Sequence, residues 1–111
     1  MSNAYIRFLN LVDASERINP ARSLDDLETQ LLERIMLNQV QNRALLVGDL
    51  INLTYLGSQG TLHGRLKSLL AQKYILLIPN KEDARKKSVI PTNLAIKYMQ
   101  FMSNCMKRSL R

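Results

Sequence analysis

The stretch "VGDLINLTYLGSQGTLHGRLKSLLAQKYI", Val47 to Ile75, decides the fold. Leu50, Ile51 and Leu53 give its first part the apolar positions of a short helix. Leu56-Gly57 reads as a turn. Ser58 is a favoured N-cap residue, and Leu62, Leu66, Leu69 and Leu70 then give a second helix one apolar stripe as far as about Gln72. A short helix, a tight turn with glycine and a second helix make a helix-turn-helix unit. The second helix also carries Gly60 and Gly64, each of which costs about 1 kcal/mol relative to alanine in a helix interior. On the helical wheel they fall with Ser68 opposite the leucines. They do not weaken the core-facing side; they thin the exposed one.

The elements on either side complete the architecture. Downstream, "YILLIPN" reads as a strand, "KEDARKK" as a charged hairpin loop and "SVIP" as the return strand. Pro91 ends that strand, where a missing N–H does least harm. Thr92 is then expected to cap a last helix, "NLAIKYMQFMSNCMKRSL". Upstream, Tyr5, Phe8, Leu9 and Val12 recur at helical spacing, and "ASERINPARS" reads as a connection. Ser23 is the expected N-cap of the next helix, with Asp26 as its acidic partner three residues on. That helix runs to about Asn42, and Leu24, Leu27, Leu31 and Ile35 line its buried side. "ALLV" is a short apolar strand-like piece, and Gly48 is the expected N-cap after it. The fold class is mainly α with a small β-hairpin (α+β): a winged helix-turn-helix with a three-helix core, a wing and flanking N- and C-terminal helices. A single domain, 1–111, divides into an N-terminal helix and linker (1–22), a winged helix (23–91) and a C-terminal helix (92–111).

Composition narrows the function classes. Apolar residues make up 46% of the chain, enough for a core, yet there is no Trp, so Leu, Ile and Met must build it. The apolar runs are too short to span a membrane, and "MSNAYIRFLN" lacks the pattern of a signal peptide. One cysteine, Cys105, excludes an internal disulfide. These features suit the cytoplasm. The net charge of +7 is unevenly spread: residues 1–57 hold five Lys/Arg and seven Asp/Glu, residues 58–111 eleven and two. The two halves are therefore −2 and +9. A basic half of this kind suits a polyanion, with nucleic acid the first candidate.

From about Ser23 to Met99 the chain resembles the winged-helix transcriptional regulators of the MarR family. "LETQLLERI" is similar to the helix that precedes the family's helix-turn-helix. The unit itself is similar in having Ser at the start of its second helix, Thr three residues later and a closing aromatic-aliphatic pair. "EDARKKSVIPT" is similar to the family's wing: Asp83, Arg85, the basic Lys86 and Lys87, a strand, then Thr92 before a helix. The resemblance implies a duplex-DNA-binding regulator in which Asp83 orients the wing through an arginine. Two departures stand out. The position ending the recognition helix, usually Gly, is Lys73, which would carry roughly 1 kcal/mol of strain at positive φ. One C-terminal helix follows the wing where the family has two.

The expected recognition helix, about 58–73, enters a major groove roughly 12 Å wide. With only Gly60 and Gly64 at the middle of its exposed strip, its backbone can come close to base edges. Gln59 near the N-terminus can pair with adenine, Thr61 can meet a thymine methyl or a phosphate, and Arg65 can take guanine or phosphate. Lys67 suits a phosphate, as do the free N–H groups beside Ser58. Ser68 completes the strip, and His63 lies near the boundary of the apolar stripe. In the wing, about 79–91, Lys81, Arg85, Lys86 and Lys87 suit the minor groove and its phosphates. A strip of small residues also suits close packing on another helix, so a protein-interaction module is the alternative, as is a plasmid or phage replication-type DNA-binding protein.

The last helix carries more apolar surface than one small domain needs. Tyr98, Phe101, Met102, Cys105 and Met106, with Tyr5, Phe8, Leu9 and Val12 of the first helix, are the expected interface of a homodimer. Two-fold pairing would set two recognition helices on two half-sites. Chemistry of other kinds finds little support. One Cys and one His cannot build a structural zinc site, and no glycine-rich phosphate loop follows a strand. The reading is of a non-enzymatic protein with no cofactor and no metal. Any small-molecule effector is open.

Overall fold

The computed structural model describes residues 2–43 and 45–111. Its elements run α1 (Ala4–Ala14), a short 3-10 turn (Glu16–Ile18), α2 (Asp26–Val40), α3 (Val47–Ile51), α4 (Gln59–Ala71), β1 (Ile75–Pro79), β2 (Lys87–Pro91) and α5 (Asn93–Ser109). The leucine-rich faces of α2, α3 and α4 meet in one core. Leu31, Leu32, Ile35, Leu50, Leu62, Leu69 and Ile75 are fully buried there, and Tyr74, Val89, Ala95 and Tyr98 close it from the hairpin and α5. Strands β1 and β2 pair antiparallel, Ile75 opposite Pro91 through to Pro79 opposite Lys87. The "ALLV" piece forms no full strand. Leu46 bridges Ser88 and the Leu45 carbonyl accepts from Val89 N at 2.8 Å, which tethers the wing's base; Ala44 lies outside the described residues.

Local capping corrects three expectations. The N-cap of α2 is Asp25, not Ser23: Asp25 Oδ1 accepts from Glu28 N at 2.8 Å, and Glu28 Oε1 accepts from Asp25 N at 2.9 Å. A capping box needs a side chain long enough to reach back to the cap N–H, which Glu28 has and Asp26 lacks. Ser23 Oγ instead donates to Gln72 Oε1 at 2.7 Å, joining the linker to the end of α4. Gly48 is no N-cap but lies inside the first turn of α3, whose start at Leu46 is held by Asp49 Oδ2 accepting from Leu46 N at 2.9 Å. Thr92 does stand at the N-cap of α5, but its hydroxyl donates to Lys73 O at 2.7 Å rather than capping the helix.

That bond fastens a strained turn. Lys73 adopts φ +68°, and Tyr74 N donates to Leu69 O while Lys73 N donates to Leu70 O, at 2.9 and 3.0 Å. This pair of bonds is a Schellman motif with lysine where glycine is favoured. Thr92 N also donates to Tyr74 O at 3.0 Å, so α5 starts where α4 ends. The end of α2 repeats the motif with Asn42 at φ +56°, a residue that tolerates the left-handed region better.

Helices α1 and α5 leave this head as an arm. The molecule measures 52 × 26 × 23 Å with a radius of gyration of 15.5 Å, against about 13 Å for a compact chain of this length. No residue of α1 is buried. It rests on α5, and Arg7 Nε donates to Ser109 O at 2.8 Å near the arm's tip.

Candidate nucleic-acid interface

Helix α4 presents its glycine strip to open space. Ser58 Oγ accepts from Thr61 N at 3.2 Å and donates to Thr61 Oγ1 at 2.9 Å, so the first turn is capped as expected. A methyl group built at Gly60 or Gly64 would meet nothing within 4 Å beyond its chain neighbours and the backbone of its own helix. Within the chain, then, nothing requires glycine at either position. Around the strip, Gln59, Thr61, His63, Arg65 and Lys67 are exposed, while Ser68 is half-buried. Ser68 Oγ accepts from Gln72 Nε2 at 2.9 Å, so the strip effectively ends at Gly64.

Two of the expected base-reading side chains have partners within the fold. Arg65 Nε lies 2.9 Å from Asp25 Oδ2, with both side chains about half exposed. The guanidinium ties α4 to the N-cap of α2 through Nε, and its other N–H groups are the ones left for a base or a phosphate. Gln59 Nε2 donates to Asn52 Oδ1 at 2.6 Å across the helix-turn-helix. Neither partner is evident from spacing. Asn52 ends α3 without joining its apolar face, and Asp25 was concealed by the wrong capping register.

The wing is built to hold its cations outward. Asn80 Oδ1 accepts from Glu82 N and Asp83 N at 2.8 and 3.2 Å, and Asn80 N donates to Lys86 O at 2.8 Å. Asp83 Oδ1 accepts from both Arg85 N and Arg85 Nε at 3.1 Å, so the arginine that orients the turn is Arg85 itself. The Arg85 hydrogen bonds hold the Asp83 carboxyl below its usual range. Arg85 remains 92% exposed on its side chain despite this pair. Lys81, Lys86 and Lys87 are exposed as well.

Between α3, α4 and the wing lies a cleft of about 450 Å³. Leu46, Val47 and Leu77 line its apolar part, and Asp49, His63, Arg85, Lys86 and Lys87 line its polar part. His63 on α4 and the three wing cations thus share one concavity, which is not evident from their separation in sequence.

The expected dimer surface divides. Tyr98 and Cys105 are 6% and 3% exposed within the single chain, so both side chains are already buried without a second copy. Burial raises the Tyr98 hydroxyl to about 12, with the charges of Glu33 and Glu16 adding to it. The wide apolar arc of α5 is explained in part by this inward side, and in part by the cover from α1. Phe8, Val12, Phe101 and Met102 are half-buried. Tyr5, Leu9, Met106 and Leu110 remain 65%, 42%, 57% and 74% exposed. An apolar groove of about 330 Å³ at the arm's tip joins Tyr5, Phe8, Met106 and Leu110.

Among the described residues no cluster of His, Cys, Asp and Glu is arranged to hold a metal ion, and no helix is long and apolar enough to cross a membrane.

No family model matches the sequence, and no curated protein sequence matches it. Solved structures do match in fold. A complex of S. aureus MepR with DNA aligns with a TM-score of 0.69 at 15% identity, over 96% of this chain and 86% of that one. The transcriptional regulator Tm0710 from Thermotoga maritima aligns with a TM-score of 0.66 at 14% identity, over 96% and 75%. The heme sensor protein PefR, bound to heme and carbon monoxide, aligns with a TM-score of 0.66 at 14% identity, over 94% and 69%. The chain thus has the MarR-like winged helix-turn-helix fold, the one its sequence resemblance implied.

Proposed function

We propose that the protein is a transcriptional regulator that binds duplex DNA as a homodimer, with α4 in the major groove and the β1–β2 wing at the minor groove. The observation that carries this reading is the exposed face of α4. Its centre is bare backbone at Gly60 and Gly64 with no contact inside the chain. Polar side chains border it and the outward cations of the wing stand beside it. A major groove admits a helix whose backbone approaches base edges, and phosphates on either side take the cations. MepR, whose fold this chain shares, is solved on DNA.

The roles follow from the geometry. Gln59 and Thr61 lie at the N-terminal end of α4, the end that meets bases in helix-turn-helix proteins. His63 and Lys67 serve the adjoining backbone together with Arg85, Lys86, Lys87 and Lys81, and the N-terminus of α4 beside Ser58 suits a phosphate. Arg65 acts first as a tether to Asp25. The exposed Tyr5, Leu9 and Met106, with Phe8, Val12, Phe101 and Met102 behind them, form the two-fold contact along the arm. No catalytic step is assigned, and the site of action is the cytoplasm.

A protein-interaction role draws on the same glycines, since small residues also admit a neighbouring helix. The engagement of Ser68 by Gln72 shortens that strip to two residues and leaves less room for helix packing than for a groove.

A salt titration tests the reading. Anisotropy of a labelled mixed-sequence duplex should report binding whose log affinity falls linearly with log salt. Six or more phosphate contacts per dimer correspond to a slope of about −5 or steeper. Affinity that is absent at low salt, or indifferent to salt, would count against DNA as the partner.

A further inference from the structure

We infer that Asn52 is a positioning residue for base recognition: it fixes the amide of Gln59, and through it the preference of the protein at one base pair of each half-site. The inference rests on the DNA-binding reading proposed above and names a determinant of its specificity. Asn52 stands at the C-cap of α3, seven residues before Gln59. Its own backbone is firmly held. Asn52 N donates to Leu50 O, and its carbonyl accepts from Thr54 N at 2.8 Å. The side chain therefore projects from a fixed point in the tight turn of the unit. Asn52 Oδ1 accepts from Gln59 Nε2 at 2.6 Å, the shortest contact made by any side chain bordering the glycine strip.

An exposed glutamine at the first position of a helix is otherwise free about three side-chain torsions. Ordering it on a base edge then carries a cost in side-chain entropy of up to about 2 kcal/mol. The bond to Asn52 meets much of that cost in the free protein. It also decides which groups are left over. A primary amide has two donor hydrogens and one carbonyl oxygen. With one hydrogen on Asn52, Gln59 keeps its other hydrogen and Oε1. Those are the two groups that pair with adenine N7 and N6 in the major groove. The helix-turn-helix thus presents a glutamine already turned toward adenine. Neither residue gains anything in the core from this bond, since both are exposed.

The test is selection of binding sites from randomised duplexes by the full chain and three variants, Gln59→Ala, Asn52→Ala and Asn52→Asp. The wild-type chain should enrich a half-site with a strong preference at the base pair read by Gln59. Gln59→Ala and Asn52→Ala should both lose preference at that same pair, by roughly five- to a hundredfold, and keep it elsewhere. Asn52→Asp still accepts from Gln59 Nε2. It should retain the preference while binding every duplex more weakly, because its charge repels phosphate. An Asn52→Ala chain that enriches the wild-type sequence overturns the assignment, as does one that loses affinity for all duplexes with its base preferences intact. A wild-type chain that enriches no sequence overturns the DNA-reading proposal itself, so the two failures are distinct.

Discussion

Replacing Arg85, Lys86 and Lys87 together with alanine should lower duplex affinity on the order of a hundred- to a thousandfold for each bound subunit at about 0.1 M salt, since each lost phosphate contact is worth roughly tenfold there. The salt dependence should flatten by about three for each bound subunit. The effect is large because these cations stand on a turn built to aim them outward. The fold should be unaffected. The turn's frame is the Asn80 side chain and the bond from Arg85 N to Asp83, and the backbone part of it survives in alanine. Anisotropy titrations at several salt concentrations measure both quantities. A loss of only a few-fold with an unchanged slope would remove the wing from the interface.

The double substitution Gly60→Ala, Gly64→Ala should act in opposite directions on stability and on binding. A methyl at either site meets open space in the free chain. Each should add about 1 kcal/mol through helix propensity, so thermal unfolding should rise by roughly 8–12 °C for the pair. On DNA the same methyls enter the closest approach of backbone to base edges. They should cost about 1–3 kcal/mol each, as overpacking does in a filled contact. Calorimetry and DNA titration of one preparation give both numbers. A protein that becomes more stable and binds as well as before would show that the strip is not at the point of closest approach. Weaker binding by a more stable chain would mark the glycines as a liability of the free protein kept for its complex, in line with the general tendency of binding sites to cost stability.

These expectations draw unequally on sequence and structure. The helix-turn-helix and the wing were legible because leucine periodicity, a Gly turn, a Ser cap and a charged loop between two short strands agree with one another. Strand and helix ends were less so. Ser23 and Asp25 are both acceptable caps in isolation, and only the reach of Glu28 decides between them. Lys73 at positive φ was visible only as a missing glycine. The bond from Thr92 that holds that turn comes from nineteen residues away. Side-chain pairing was not legible at all. Nothing in spacing links Arg65 to Asp25 or Gln59 to Asn52, because the fold brings separate elements together. For α5 the wide apolar arc is shared between the chain's own core and the cover from α1. It could not show which residues face the chain's own core, and Tyr98 and Cys105 proved to be on that inward side.

The arm and the face of α4 make a joint demand on DNA. If two chains meet along α1 and α5, the half-sites must be related by two-fold symmetry and spaced by about one helical turn or a multiple of it. Selection from random duplexes by the wild-type chain tests both at once. Two-fold pairing along the arm gives an enriched inverted repeat, bound by two chains, whose half-site centres lie about 10 base pairs or a multiple of that apart. Recovery of unenriched sequence, or of a single unrepeated motif bound by one chain, would contradict it.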